Sequence, residues 1–343
     1  MSGPFDPAAP PQATPHDPGA TAGATAGSMA GSMAVGGAQI LDRGYRHYAG
    51  ERTGSSGAMR SVAKYTMQRA LGIHRKFRFK IVPILTIVIS FIPAIVWVGV
   101  VVLTNQLEQQ AGLEDPMMGG AGRMVANQLI ADYPASYGFI VLAIILFAAF
   151  VAPEVLCTDR KTGMLGLYLS SSLDRGRYLA AKAIAIGSIL SIVTIGPALL
   201  LLIGYTSQGY GPEGFGSWVT TLLRVIGVGL AMAAFHTLIA SAISSITTRR
   251  AAASATFIVL VLGTGVLIDL AVGELDGPMW LSVFDLVQLP TEFAYRAFGQ
   301  LGPYTYRYPE VADAWLVYAG FFGWMVASVA IIAERYRRVE VTK

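Results

Sequence analysis

Apolar residues fall along this chain in six runs of about twenty, near 81–103, 137–156, 179–205, 218–243, 252–272 and 314–333. A helix rises about 1.5 Å per residue, so about twenty apolar residues cross a hydrocarbon core about 30 Å thick. The pattern predicts an all-α membrane protein with six transmembrane helices. It divides the chain into a tail (1–58), an amphipathic segment (59–80) and a six-span membrane domain (81–343). Composition agrees: 54% of residues are hydrophobic and 13% charged, where a soluble domain carries about a quarter charged.

The tail is rich in Gly, Ala, Pro, Ser and Thr, with a short repeat of Ala-Thr-Ala-Gly. Such a segment buries too little apolar surface to offset the entropy of ordering, and is expected to be disordered. From Met59 the period changes to that of a helix. Met59, Val62, Ala63, Thr66, Ala70, Ile73 and Phe77 share one face, while Arg60, Lys64, Gln68 and Arg75 lie opposite and Leu71 is out of place. A basic amphipathic helix entering a span is expected to lie along the membrane surface. The plainer alternative is an extension of span one.

Charge then orients the spans. Seven Lys and Arg lie between Arg60 and Lys80, five between spans two and three (Arg160, Lys161, Arg175, Arg177, Lys182), two at Arg249 and Arg250, and four after span six. The alternate loops hold Arg123, Arg296 and Arg307 among many acids. By the positive-inside rule both termini are expected in the cytoplasm, as an even number of spans requires. The localisation expected is a multi-pass protein of the cell (plasma or inner) membrane. The net +4 is thus a cytoplasmic rim facing the lipid bilayer. No basic–aromatic platform accompanies it, so no nucleic-acid partner is expected.

Sites of chemistry are sparse. The sequence has no Gly-x-x-x-x-Gly-Lys-Ser/Thr loop, no His-Glu-x-x-His and no Gly-x-Ser-x-Gly. No catalytic or metal-ligating residue is therefore assigned. His236, alone in span four, reads as a hydrogen-bonded packing residue with a proton relay as the alternative. Arg224 and Asp269 stand inside spans four and five near one depth. They are either an intramembrane charged pair or two side chains reaching their interfaces separately. Cys157 reads as an interfacial thiol, with reversible acylation as the alternative. Glu154 is expected near Arg160 or Lys161. The outer segment 273–313 is aromatic-rich, with two short helical stretches, Met279–Val287 and Thr291–Phe298, separated by Pro290. It is expected to lie flat or re-entrant at the outer face.

The longest patterned polar interruption runs from Cys157 to Lys182. Thr158 or Asp159 is placed to cap a short helix, Gly163 permits a bend, and Asp174 is placed to cap span three. Met164, Leu165, Leu167, Tyr168 and Leu169 form an apolar ridge too short to span. Such a ridge suits a groove on another protein, or else folds onto the membrane surface.

The run Ala152-Pro153-Glu154, then Asp159-Arg160-Lys161-Thr162-Gly163-Met164-Leu165-Gly166-Leu167-Tyr168-Leu169-Ser170, then Asp174-Arg175-Gly176-Arg177-Tyr178-Leu179 and Lys182, resembles the same region of ATP-binding-cassette (ABC) exporter permeases of the type-2 class. The basic helix before span one, the six spans, the elaborated outer segment and the final Glu334-Arg335-Tyr336-Arg337-Arg338 run extend the likeness over roughly 59–340. Many relatives carry a proline after the loop serine, where this chain has Ser171 and Ser172.

The resemblance implies a permease homodimer or heterodimer and a separate ABC ATPase subunit. That ATPase would dock on Asp159, Arg160, Lys161, Thr162, Gly163, Met164, Leu165, Leu167, Tyr168, Leu169 and Ser170. ATP would be used by the partner, with no cofactor bound by this chain and no enzyme activity of its own. The alternative is a membrane-embedded assembly or regulatory protein that recruits a cytoplasmic partner without transporting.

Overall fold

The computed structural model describes residues 54–73, 76–77, 80–111, 137–169, 173–302 and 314–337. The tail as far as residue 53 and Ser170–Ser172 of the patterned loop lie outside them. The described residues are helical and contain no strand. Six helices are long and apolar enough to cross a membrane. In chain order the α-helices are α1 (Gly54–Ala70), α2 (Ile81–Ala111), α3 (Val141–Lys161), α4 (Met164–Leu169), α5 (Arg175–Ser207), α6 (Phe215–Ile246), α7 (Arg250–Ile268), α8 (Gln288–Ala297) and α9 (Ala314–Arg337). The spans are α2, α3, α5, α6, α7 and α9; four of the six apolar runs lie wholly within them, while run 137–156 begins before α3 and run 252–272 continues past α7.

Helix α3 forms the core. Ala143, Ile144, Phe147, Ala148, Val151, Ala152 and Val155 are all buried, and α3 packs against α2, α5, α6 and α7. Helix α5, with 33 residues, and α6, with 32, each extend about 50 Å. The loop between them lies at the end away from the basic residues. There Asn105 of α2 donates to Gln208 Oε1 at 3.2 Å and accepts from the Tyr210 hydroxyl at 3.0 Å, while Trp218 Nε1 donates to Thr206 at 3.2 Å. Polar contacts of this kind suit a region that meets water.

Helices α5 and α6 approach closely at Gly229. A Cβ there would lie 2.5 Å from Ile195 Cγ1. The absent side chain lets the Thr194 hydroxyl donate to the Gly229 carbonyl at 2.8 Å. Small residues at helix crossings give membrane bundles the van der Waals contact that lipid offers no hydrophobic drive to replace. Gly229→Val should cost about 1–3 kcal/mol as overpacking, read as a lower melting temperature in detergent. Ile195→Ala added to it should restore part of the loss.

Helix α1 differs from its expected form. It ends at Ala70, where the Ile73 amide reaches back to Gln68 O at 2.8 Å and Gly72 takes φ +69°, a glycine-based helix stop. Ile73 and Phe77, expected on the apolar face, come after this stop and are exposed. Val62, Thr66 and Ala70 are buried, and α1 packs on α5 and α3. Its apolar face thus meets protein. Leu71, out of register in the helical pattern, packs against the main core because the chain has already turned.

The outer segment also differs. Met279–Phe284 forms a 3-10 helix, and Pro290 lies in the first turn of α8 rather than between two helices. A first-turn proline forfeits no intrahelical bond, since that N–H has no partner there. Before it, the buried Asp285 carboxylate accepts from the Val287 and Gln288 amides at 3.0 and 2.9 Å. Burial pushes the Asp285 carboxyl up, and these two donors act in the opposite direction. Leu289 through Tyr295 of α8 are all buried. Phe293 stacks on Phe321 of α9 at 3.9 Å, and Phe321 on Phe235 of α6 at 4.7 Å. Helix α8 is therefore packed into the bundle rather than laid flat on it.

Candidate functional site

At the basic end, α3 stops through a local device. The Thr162 amide bonds to the Thr158 carbonyl at 2.9 Å, and Gly163 adopts φ +70°, a conformation that costs a side-chain-bearing residue. The chain turns there into α4, six residues long. The expected bend at Gly163 is present, while Thr158 and Asp159 belong to α3 and do not cap α4. Beyond α4, the Asp174 carboxylate accepts from the Arg177 amide at 2.7 Å and caps α5, as its position predicted.

Asp159 is the centre of the site, and it faces inward. It is 0% exposed, so in this conformation it lies beneath the expected docking surface. Its Oδ1 meets Arg69 Nη1 of α1 at 2.7 Å, and its Oδ2 meets Lys182 Nζ of α5 at 2.6 Å. The Tyr178 hydroxyl donates to Oδ2 at 2.9 Å. Helix α4 joins through an aromatic contact. The Tyr168 and Tyr178 ring centroids are 5.4 Å apart, and the Lys182 ammonium lies 5.3 Å from the Tyr168 ring and 5.5 Å from the Tyr178 ring. Cations over aromatic faces are attracted by the ring quadrupole, more strongly once desolvated. Burial, then the Asp159 carboxylate, push the Tyr168 hydroxyl's pKa up, with Arg69 opposing.

Two cations thus share one carboxylate, and four elements meet on it: α1, α3, α5 and, through Tyr168, α4. Arg69 and Lys182 were legible only as rim charges. Arg69 did carry a signal, since it is seven residues from Val62 and so shares its buried face.

The remaining loop residues separate by exposure. Lys161, Thr162, Gly163 and Met164 are exposed and Tyr168 is half-buried. Leu165, Leu167 and Leu169 lie in α4, and Ser170 is outside the described residues. Arg160 turns back to the α6 C-terminus, donating to the Ser245 and Thr247 carbonyls, which the helix leaves without intrahelical donors. Glu154 pairs with Arg250 of α7 at 3.2 Å rather than with its own helix's cations. Cys157 is buried, its thiol 3.6 and 3.5 Å from the Ser244 and Thr247 carbonyls. Beside them Thr158, Lys161, Thr248, Arg249 and Arg250 line a basic cleft of about 560 Å³.

At the opposite end, Arg224 and Asp269 are both exposed, and no described ion pair joins them. The neighbouring Val225 carbonyl accepts from Tyr137, just before α3 begins. Arg224 thus lies one residue before the α6 position that meets the start of α3. His236 is buried, with Nδ1 2.8 Å from the Met232 carbonyl of its own helix, as expected of a packing residue.

Six spans, a short helix set off from them at the basic end and a buried charge cluster beneath it define a polytopic membrane protein. The family described as ABC-2 family transporter protein matches residues 39–293, about three quarters of the chain. The chain belongs to that family, whose members are the membrane subunits of ABC transporters. No curated protein matches it.

Proposed function

We propose that this chain is the permease subunit of an ATP-driven exporter, working as a homodimer or heterodimer in the cell membrane with both termini in the cytoplasm. A separate ABC ATPase docks on α4 and the exposed residues Lys161–Met164, and ATP is consumed in that partner. The observation that carries the reading is the Asp159 cluster. A force on α4 reaches Tyr168, then the Lys182–Asp159–Arg69 group, and so moves α5, α3 and α1 together. Ion pairs at 2.6 and 2.7 Å with almost no exposure transmit displacement better than a hydrated loop, because packed elements move as units.

The test is co-expression with an ABC ATPase subunit from the same organism. The ATPase should be retained with the tagged permease through purification in lipid, and its turnover should rise several-fold over the ATPase alone. If the ATPase is retained but its turnover is unchanged and no solute is moved, the chain is a recruiting protein and the exporter reading fails.

A further inference from the structure

Behind the Asp159 cluster lies a cleft of about 330 Å³ between α5, α6 and α9, floored by Leu156 of α3. Most of its wall is apolar, from Leu179, Ala183, Leu238, Val329 and Ile332. Small residues open it outward: Gly176 and Ala180 on α5 and Ala333 on α9 are exposed and line its mouth.

Three polar side chains line the same cleft. Ser241 is 4% exposed and Tyr336 3%, and the hydroxyl oxygens of both lack a hydrogen-bond partner among the described residues. A buried hydroxyl without a partner forfeits its hydration for nothing. Lys182 is the third, and among the described residues its cluster sets one carboxylate against two cations, an excess of one positive charge in a nearly dry site. Arg175, the residue before Gly176, is bonded to the carbonyls of Tyr336 and Arg337 at 3.1 Å each. Apolar walls with a few convergent polar groups are the general form of a small-molecule site.

We infer that this cleft binds an acyl amphiphile with an anionic oxygen headgroup. The chain lies against α5 and α9, and the head accepts hydrogen bonds from Ser241 and Tyr336 beside the positive Lys182 cluster. The missing acceptors and the uncompensated charge both point to such a head, and the apolar wall points to the chain. Two sources carry this chemistry: a membrane phospholipid and a free fatty acid. Because the ligand sits against Lys182, its occupancy adjusts the cluster that joins α4 to the spans. The inference rests on the cleft alone and holds whether or not the chain exports.

The probe is palmitate carrying a diazirine near the chain end, photolysed with the full-length protein in nanodiscs, with labelled peptides mapped by mass spectrometry. Labels should concentrate in Leu179–Ala183 and Val329–Ala333. Unlabelled palmitate should compete about ten times better than hexadecanol, which has the same chain and no charge. Ala183→Phe fills the cleft and should remove at least four fifths of the site-specific label. Ser241→Ala with Tyr336→Phe leaves the volume nearly unchanged, and should weaken palmitate competition about tenfold even if Ala183→Phe fails to fold. Lipid extracted from the purified protein identifies the source. A phospholipid present in the native protein and lost from the filled variant assigns the site to the membrane. Its absence, with palmitate labelling intact, assigns the site to free fatty acid. Label spread evenly over lipid-facing spans and insensitive to these substitutions overturns the inference.

Discussion

Replacing Asp159 with alanine should lower the stability of the bundle by about 3–5 kcal/mol, the scale for removing one member of a buried ion pair. The reason is the count of charges around it. Lys182 is 1% exposed and Arg69 13% at their side chains, so neither reaches bulk water when its partner goes. The substitution leaves two cations in a dry site, and they repel each other. Lys182→Met should cost much less, because Asp159 keeps Arg69 and the Tyr178 hydroxyl. Adding Lys182→Met to Asp159→Ala should then restore stability relative to Asp159→Ala alone. Unfolding in graded denaturing detergent measures all three variants. Equal losses for the two single variants would mean that water reaches the site, and the cluster would lose its standing as a rigid link.

Alanine at Leu165, Leu167 and Tyr168 together should abolish stimulation of the partner ATPase, at least tenfold, with little change in the amount of folded protein. Alanine is the best helix former, so α4 survives the change. Truncating a central apolar or aromatic anchor at an interface costs about 2 kcal/mol or more, a factor of about thirty in affinity. Tyr168→Ala alone separates two roles. Its ring packs on Tyr178 and lies under Lys182, so it should lower stimulation while the ATPase still co-purifies. The triple variant should lose both. ATPase turnover and pull-down on the same preparations distinguish the patterns, and full stimulation by the triple variant would remove α4 as the docking element.

The spans were legible because a lipid-crossing helix declares itself by composition alone: each expected run overlaps one of the observed helices. Gly163 and Asp174 were legible for a similar reason, since a helix stop and a helix cap are local chemistry. Helix α1 was half legible. Its 3.6-residue period continued through Ile73 and Phe77, but a period does not reveal that a glycine in the left-handed region ends the helix at Ala70. Glu154 was placed beside the cations of its own sequence neighbourhood, yet it reaches Arg250 on a span nearly a hundred residues away. Pro290 was read as a breaker because a first turn and an interior turn look alike until the helix start is known.

The family likeness placed Asp159 at the head of a docking loop, and the fold turned it inward. Sequence distance hid this. Arg69, Asp159, Tyr178 and Lys182 come from three helices, and nothing local brings them together.

The sequence by itself determined that this chain crosses a membrane six times, that its basic residues gather at one end, and that an apolar ridge follows Gly163. Each of these depends on side-chain type and spacing along one strand of chain, which periodicity and composition record. Only the tertiary structure decided that the rim cations Arg69 and Lys182 are buried on one carboxylate, that α8 inserts among the spans, and that Ser241 and Tyr336 share a cleft. These depend on which helix faces which, and in lipid that choice rests on close packing and a few polar contacts rather than on hydrophobicity, because every span face is apolar.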